Sequence, residues 1–153
     1  MESDTQESPH DELDKETKIQ QIKDGLLERF GKTARLNPET NEMDIVEAEK
    51  FDNPQVKKNM MHNCGTVSRI VHKTIGGVHQ TAKAHGTNPT ISYENDENII
   101  ASGGATAFHA FVVDDEGMVW DPIVDVWGDV DIATYTEKLQ SSADELVIGE
   151  AMD

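Results

Sequence analysis

The stretch FHAFVVDDEGMVWDP, residues 108–122, decides the fold because it predicts an antiparallel hairpin that carries polar side chains at fixed positions. Two apolar runs flank the loop 115–117, and a three-residue loop that ends in glycine favours a type I turn with a G1 bulge. In that register Phe111 faces Asp121, so His109 and Asp121 lie on the same face of the hairpin. A two-residue turn would instead place Asp121 on the opposite face.

Upstream of this hairpin, Cys64 begins a run with helical periodicity. Its apolar positions repeat every three or four residues and predict one buried stripe, formed by Cys64, Val67, Val71, Ile75 (or Thr74), Val78 and Ala82. Gly76 and Gly77 interrupt the pattern, so we expect the helix to be kinked or split there. His85 and Gly86 end the run.

The position of Cys64 at a predicted helix start gives the thiol a reason to be reactive. Unpaired backbone N–H groups and the positive end of the helix dipole stabilise a thiolate and lower its pKa. The same N–H groups can donate to the oxyanion that forms when a thiolate attacks a carbonyl carbon. Gly65 permits close approach of a substrate backbone, and Gln55, Asn59 and Asn63 are candidates for a second oxyanion donor.

Cys64, His109 and Asp121 together have the chemistry of an activated sulfur nucleophile. The thiolate attacks, the imidazole takes and returns the proton, and the carboxylate holds the imidazole in the useful tautomer. Each residue also has a structural alternative, since free cysteine is among the most buried residue types and a core histidine is often simply hydrogen-bonded. Asp121 followed by Pro122 is also a common way to end a strand.

The rest of the chain predicts a single α+β domain over residues 13–153, with helices first and a mostly antiparallel sheet later. Residues 14–30 have helical spacing, with Gly31 after them, and Asn53 and Pro54 begin a short helix. Residues 39–50 fit either a strand or a helix. Later elements are predicted as strands at 90–93, from 99, at 107–113, 118–124 and 145–148, and a short helix at 131–139. Residues 1–12, polar and acidic, are predicted to be a disordered tail.

These motifs resemble the transglutaminase-like branch of the papain-like cysteine protease superfamily. The likeness spans about residues 55–125 and rests on Asn63-Cys64-Gly65, His109-Ala110-Phe111 and Asp121-Pro122. It implies a papain-like core, with a central helix that begins at the nucleophile and a sheet that carries the other two residues. Phe111 stands where an indole is usual. The superfamily contains peptidases, amide-forming transferases, deamidases and inactive relatives, so the resemblance does not determine the reaction.

The resulting expectation is a thiol-dependent enzyme that hydrolyses a peptide or a side-chain amide, with acyl transfer to an amine as the second choice. It needs no cofactor and no metal. The alternative is a non-enzymatic binding or structural module that keeps the fold. Because little chain remains to build both walls of a substrate cleft, a partner protein could complete it.

Two groups of side chains are alternative candidates for a metal site. His62, Cys64 and His109 are three potential ligands, but they lack the paired spacing of a structural zinc site. Asp129 and Asp131, with Asp125 nearby, could bind a cation, but a solvated acidic loop is the preferred explanation.

Composition limits the partners. The 153-residue chain has 30 acidic and 13 basic residues and a formal charge of −17, so nucleic acid and anionic membrane surfaces are disfavoured. One cysteine excludes an intramolecular disulfide. No segment is apolar enough to span a bilayer, and the N-terminal residues lack the features of a secretory signal. We therefore expect a cytoplasmic protein.

Overall fold

The computed structural model describes residues 14–61, 63–94, 99–142 and 145–150. These residues form an α+β fold with four α-helices: α1 (Lys15–Phe30), α2 (Pro54–Met60), α3 (Cys64–Ile75) and α4 (Ile132–Lys138). The strands are β1 (Lys32–Asn37), β2 (Glu42–Glu47), β3 (Val78–His85), β4 (Thr90–Tyr93), β5 (Ile99–Ser102), β6 (Thr106–Val113), β7 (Met118–Asp121), β8 (Val126–Asp131), β9 (Leu139–Ser141) and β10 (Glu145–Glu150). The predicted tail, residues 1–12, lies outside the described residues.

The strands form three antiparallel sheets. The main sheet has five strands in the order β10-β3-β6-β7-β8, a second has the order β5-β4-β9, and β1 pairs only with β2. Helix α3 packs against β6 of the main sheet, and α1 packs across α3. The core therefore lies between helix α3 and the main sheet, whose middle strand β6 packs directly against α3.

The predicted hairpin register is confirmed. Val113 pairs with Val119 and Val112 with Trp120, while the Asp114 N–H donates to the Met118 carbonyl over 2.9 Å. Gly117 has a φ of 81°, the left-handed conformation that the G1 bulge requires. This register places His109 and Asp121 on the face of the hairpin that is turned toward α3.

The prediction that the helical run continues to His85 is wrong. Gly76 and Gly77 both have positive φ, and they end α3 and reverse the chain into β3. Gly77 lies so close to β6 that a Cβ atom would be 2.4 Å from the Val113 carbonyl oxygen. The misleading signal was the four-residue spacing of Val78 and Ala82, because residues four apart share a face in a strand as well as in a helix.

The other predicted elements are present with small changes of boundary. Asp14 caps α1 by accepting from the Thr17 N–H over 2.7 Å, and Asn53 caps α2 by accepting from the Gln55 N–H over 2.9 Å. The ambiguous residues 39–50 contain β2, and the predicted second arm of the central hairpin ends at Asp121 in a 3-10 turn, Pro122–Val124. Among the described residues, no helix has the length and apolar composition needed to cross a membrane.

Candidate active site

Cys64 is the first residue of α3, and its side chain is 8% exposed. The Asn63 side chain does not cap the helix, because its amide donates back to the Asn59 carbonyl over 2.9 Å. The side chain of the cap residue therefore accepts no hydrogen bond from the first-turn N–H groups of α3. These N–H groups point out of the end of the helix at which Cys64 lies. The Sγ atom lies 3.9 Å from the Phe108 carbonyl oxygen on β6, which brings the thiol to the hairpin.

His109 is wholly buried on β6, next to Phe108. Its Nε2 atom is 2.6 Å from Oδ2 of Asp121, at the end of β7. Its Nδ1 atom has no formed hydrogen bond within the part of the chain that the structure describes. The thiol of Cys64 is close enough to perturb the imidazole without completing a hydrogen bond, so Nδ1 is the nitrogen left to exchange a proton with sulfur.

The electrostatics of this arrangement favour a charged pair. Burial alone would raise the pKa of the Cys64 thiol, but the nearby polar imidazole of His109, its charge and the Ala110 N–H together lower it below its ordinary value. Burial likewise lowers the pKa of His109, but the charge and hydrogen bond of Asp121 outweigh burial and raise it to about 10. The Cys64 thiol is therefore more acidic, and the His109 imidazole more basic, than either group ordinarily is.

Asp121 is held from three directions. Its Oδ2 accepts from the Tyr135 hydroxyl over 2.6 Å as well as from His109, and its Oδ1 accepts from the Ile123 N–H over 3.2 Å. Asp121 is 1% exposed and Tyr135 on α4 is fully buried. Burial, followed by the negative charge and hydrogen bond of Asp121, raises the pKa of Tyr135 well above 10, so its hydroxyl stays protonated and donates.

Sequence reasoning missed Tyr135. The only available signal was that Tyr135 is the one aromatic residue in the predicted helix 131–139, and a buried tyrosine hydroxyl must find a partner. Which partner it finds depends on how α4 returns over β7 and β8, and that path is not visible in the sequence. Phe111 packs beside both groups. Its ring centroid is 4.7 Å from that of Tyr135 and 6.5 Å from that of the His109 imidazole.

The three candidate oxyanion side chains are engaged elsewhere. Asn59 donates to the Phe30 carbonyl over 2.8 Å and to Thr33 Oγ1 over 3.1 Å, and it accepts from Gln55 over 3.1 Å. Asn63 is directed to the backbone of α2, as described above. These amides connect α2 to the end of α1 and to β1, and the donors left at the sulfur are backbone N–H groups.

The candidate cation residues also have structural partners. Asp125 accepts from the Trp127 indole over 2.6 Å, Asp129 accepts from the Trp127 N–H over 3.0 Å, and Asp131 caps α4 through the Thr134 N–H over 2.7 Å. His62 of the zinc alternative lies outside the described residues. Within the described ranges, no three histidine, cysteine or acidic side chains are grouped as metal ligands would be.

Comparison with known proteins does not identify a family or a function for this chain. No family model matches the chain, and neither the curated proteins nor the solved structures contain a significant match.

Proposed function

We propose that this protein is a thiol-dependent acyl-transfer enzyme that hydrolyses a peptide bond or a side-chain amide, with Cys64 as nucleophile. The observation that carries the proposal is the buried His109–Asp121 hydrogen bond on a hairpin that the Cys64 sulfur also reaches, 3.9 Å from the Phe108 carbonyl oxygen. An imidazole held at one nitrogen by a carboxylate and left open at the other, beside the only thiol, is poised for proton exchange with sulfur. Cys64 lies at the start of a helix, and His109 and Asp121 follow on a hairpin. This order agrees with the motifs of the family that the sequence resembles, and it supports a papain-like core of the transglutaminase-like kind.

Each residue has a defined task in the proposed reaction. The Cys64 thiolate attacks the carbonyl carbon, and the negative charge moves to the carbonyl oxygen, which accepts from the Cys64 N–H. His109 gives its Nδ1 proton to the departing amine as the C–N bond breaks, which leaves a thioester. His109 then takes a proton from water, the hydroxide attacks the thioester, and Cys64 leaves as the thiolate. If an amine replaces water, the product is a new amide.

Asp121 keeps the imidazole oriented in this cycle and stabilises its protonated form. The arrangement calls for no cofactor or metal. A thiolate of this kind works in a reducing compartment, and we expect the cytoplasm. A peptide or protein is the expected substrate, because either supplies the amide carbonyl that the Cys64 sulfur would attack.

A cavity of about 310 Å³ offers a place for part of such a substrate. Its lining includes Met61, which lies three residues before Cys64, and Ile123, which lies two residues after Asp121. The lining is mostly aliphatic, with Tyr93 and the carboxylate of Glu94. The negative charge of Glu94 disfavours an acidic side chain at this place.

The second candidate is a non-enzymatic binding module of the same fold. The observation in its favour is access, because His109 has no exposed surface and Cys64 is 8% exposed. A buried hydrogen-bonded histidine can stabilise a core without reacting. A partner protein that completes the cleft would reconcile this enclosure with enzymatic activity.

The deciding experiment is covalent labelling of Cys64 by a peptide vinyl sulfone, followed by intact-mass spectrometry. An activated thiolate is labelled in the native protein at pH 6–7, and labelling falls at least tenfold in Asp121→Asn but stays unchanged in Asp125→Asn. The two aspartates differ in that only Asp121 contacts the imidazole, so the pair controls for loss of charge. Equal labelling of all three proteins, or labelling only after denaturation, favours the binding module.

A further inference from the structure

The β1–β2 hairpin has an apolar face that no other part of the described chain covers. Paired residues in an antiparallel sheet point to the same side, as do residues two apart. The register therefore gives one face the side chains of Lys32, Ala34, Leu36, Met43, Ile45 and Glu47, which we call the outer face. Met43 is 60% exposed and Ile45 68% exposed.

The opposite face of this hairpin is mainly polar and is the one attached to the body of the protein. Thr33 accepts from the Asn59 amide on α2 over 3.1 Å, and Asn37 donates to Asp44 over 3.0 Å. The usual arrangement, with the apolar face of a sheet inward, is thus reversed. A two-stranded hairpin is marginally stable in water unless something packs on its apolar face.

We propose that the outer face is a self-association surface whose occupant is the outer face of a second copy of this chain. The evidence is complementarity under a two-fold axis parallel to the strands. Such an axis places β1 of one copy over β2 of the other at the same height along the strands. Lys32 then lies over Glu47, Ala34 over Ile45 and Leu36 over Met43, with each pair formed twice.

The pattern selects this axis over the alternative. A two-fold axis perpendicular to the strands would place β1 over β1 in the opposite direction, and no position of that axis along the strands would bring Lys32 over Glu47. Under the proposed axis both charges are paired and the small Ala34 lies opposite the large Ile45. Neither Lys32 nor Glu47 forms an ion pair elsewhere in the described residues, so both are available.

The size of the face predicts a weak dimer. Six-residue strands are about 20 Å long and two of them are about 10 Å wide, which is roughly 200 Å² of sheet plane. Standard interfaces bury about 800 Å² per partner, so a face of this size predicts weak association that needs a high protein concentration. Repulsion between two chains of charge −17 opposes association at low salt. The dimer should therefore tighten between 0.1 M and 1 M sodium chloride.

Sedimentation equilibrium of the full chain from 5 µM to 1 mM, at both salt concentrations, measures the association. Ile45→Lys on the outer face should weaken dimerisation at least tenfold. Val46→Lys, one residue along on the opposite face and 41% exposed, is the matched control and should leave it within threefold. Circular dichroism checks that both variants remain folded.

Charge exchange tests the axis itself. Lys32→Glu alone should weaken the dimer, and the double variant Lys32→Glu/Glu47→Lys should restore it because both ion pairs are re-formed with reversed signs. A wild type that remains monomeric at 1 mM in both salts overturns the proposal, and so does equal weakening by Ile45→Lys and Val46→Lys. Failure of the double variant to recover overturns the proposed axis. None of these outcomes depends on whether Cys64 is catalytic.

Discussion

Replacement of His109 by glutamine tests the central feature of the site, the control of the Cys64 thiol by the imidazole. Glutamine can still donate to Asp121, but it cannot carry a positive charge or exchange a proton. The nearby imidazole of His109 and its charge are the main influences that lower the pKa of Cys64, and burial opposes them. With the imidazole removed and burial unchanged, the pKa of the thiol should rise above its ordinary value of 9.0.

The size of the effect determines which measurement is informative. For each unit by which the pKa rises, the thiolate fraction below the pKa falls tenfold, but the remaining thiolate becomes about threefold more nucleophilic. The alkylation rate at a single pH therefore falls only about threefold per unit of pKa. The midpoint of the rate against pH moves by the full change in pKa, so the pH profile is the decisive quantity.

The assay is alkylation by iodoacetamide from pH 4 to pH 10.5, followed by mass spectrometry, and Cys64 is the only residue that reacts as a thiol. A lowered pKa in the wild type means that the thiolate persists below pH 9.0, the ordinary pKa of the thiol, and it is lost as the pH falls through the lower value. We expect the profile of His109→Gln to rise only above pH 9. His72→Gln, at the exposed end of α3, should keep the wild-type profile. A wild-type midpoint at pH 8.5–9 that His109→Gln leaves in place would refute the reasoning.

Three further predictions concern stability, each measured as a melting temperature at 1 µM protein. Tyr135→Phe removes a buried hydrogen bond to a carboxylate, worth about 1.5–3 kcal/mol, and should lower the melting temperature by about 3–12 °C; an unchanged value would show that Asp121 does not need the hydroxyl. Gly76→Ala should cost about 1–2 kcal/mol for its left-handed backbone alone, whereas Gly77→Ala must also displace the Val113 carbonyl and should cost clearly more; equal losses would contradict the close approach. The melting temperature should rise between 0.1 M and 1 M salt, because screening relieves the repulsion of a chain with charge −17; a flat response would mean that the acidic residues are already paired.

The central hairpin and its face were predictable because they depend on local chemistry. The glycine at position 117 selects the turn, the turn sets the register, and the two-residue period of a strand then puts His109 and Asp121 on one side. The prediction that Cys64 begins a helix was correct for a similar reason, since three- and four-residue spacings up to Ile75 fit only a helix. Whether the resulting site is catalytic remains a prediction.

The strand β3 shows where local patterns fail. Residues 78–85 contain small and polar side chains whose spacing fits either period, and they become a strand because β6 and β10 are available on both sides. Pairing of that kind is a long-range contact, and the local sequence contains no signal that specifies its partner. Strand β1 differs, because its partner β2 lies just across a turn, but its apolar residues face away from the core and so give no sign of a buried strand face.

By itself the sequence determined the chemistry that this chain has available: one thiol, a histidine and an aspartate in a register that brings the last two together. Only the tertiary structure decided that the Cys64 sulfur lies 3.9 Å from the Phe108 carbonyl oxygen on β6, and that Tyr135 shares the oxygen of Asp121 that holds Nε2 of His109. It also decided that the side-chain amides near Cys64 are used to connect α2 with α1 and β1. The physical reason is that register and helix initiation depend on neighbours in the chain, whereas burial, charge stabilisation and hydrogen-bond partners depend on groups that packing brings together from distant positions.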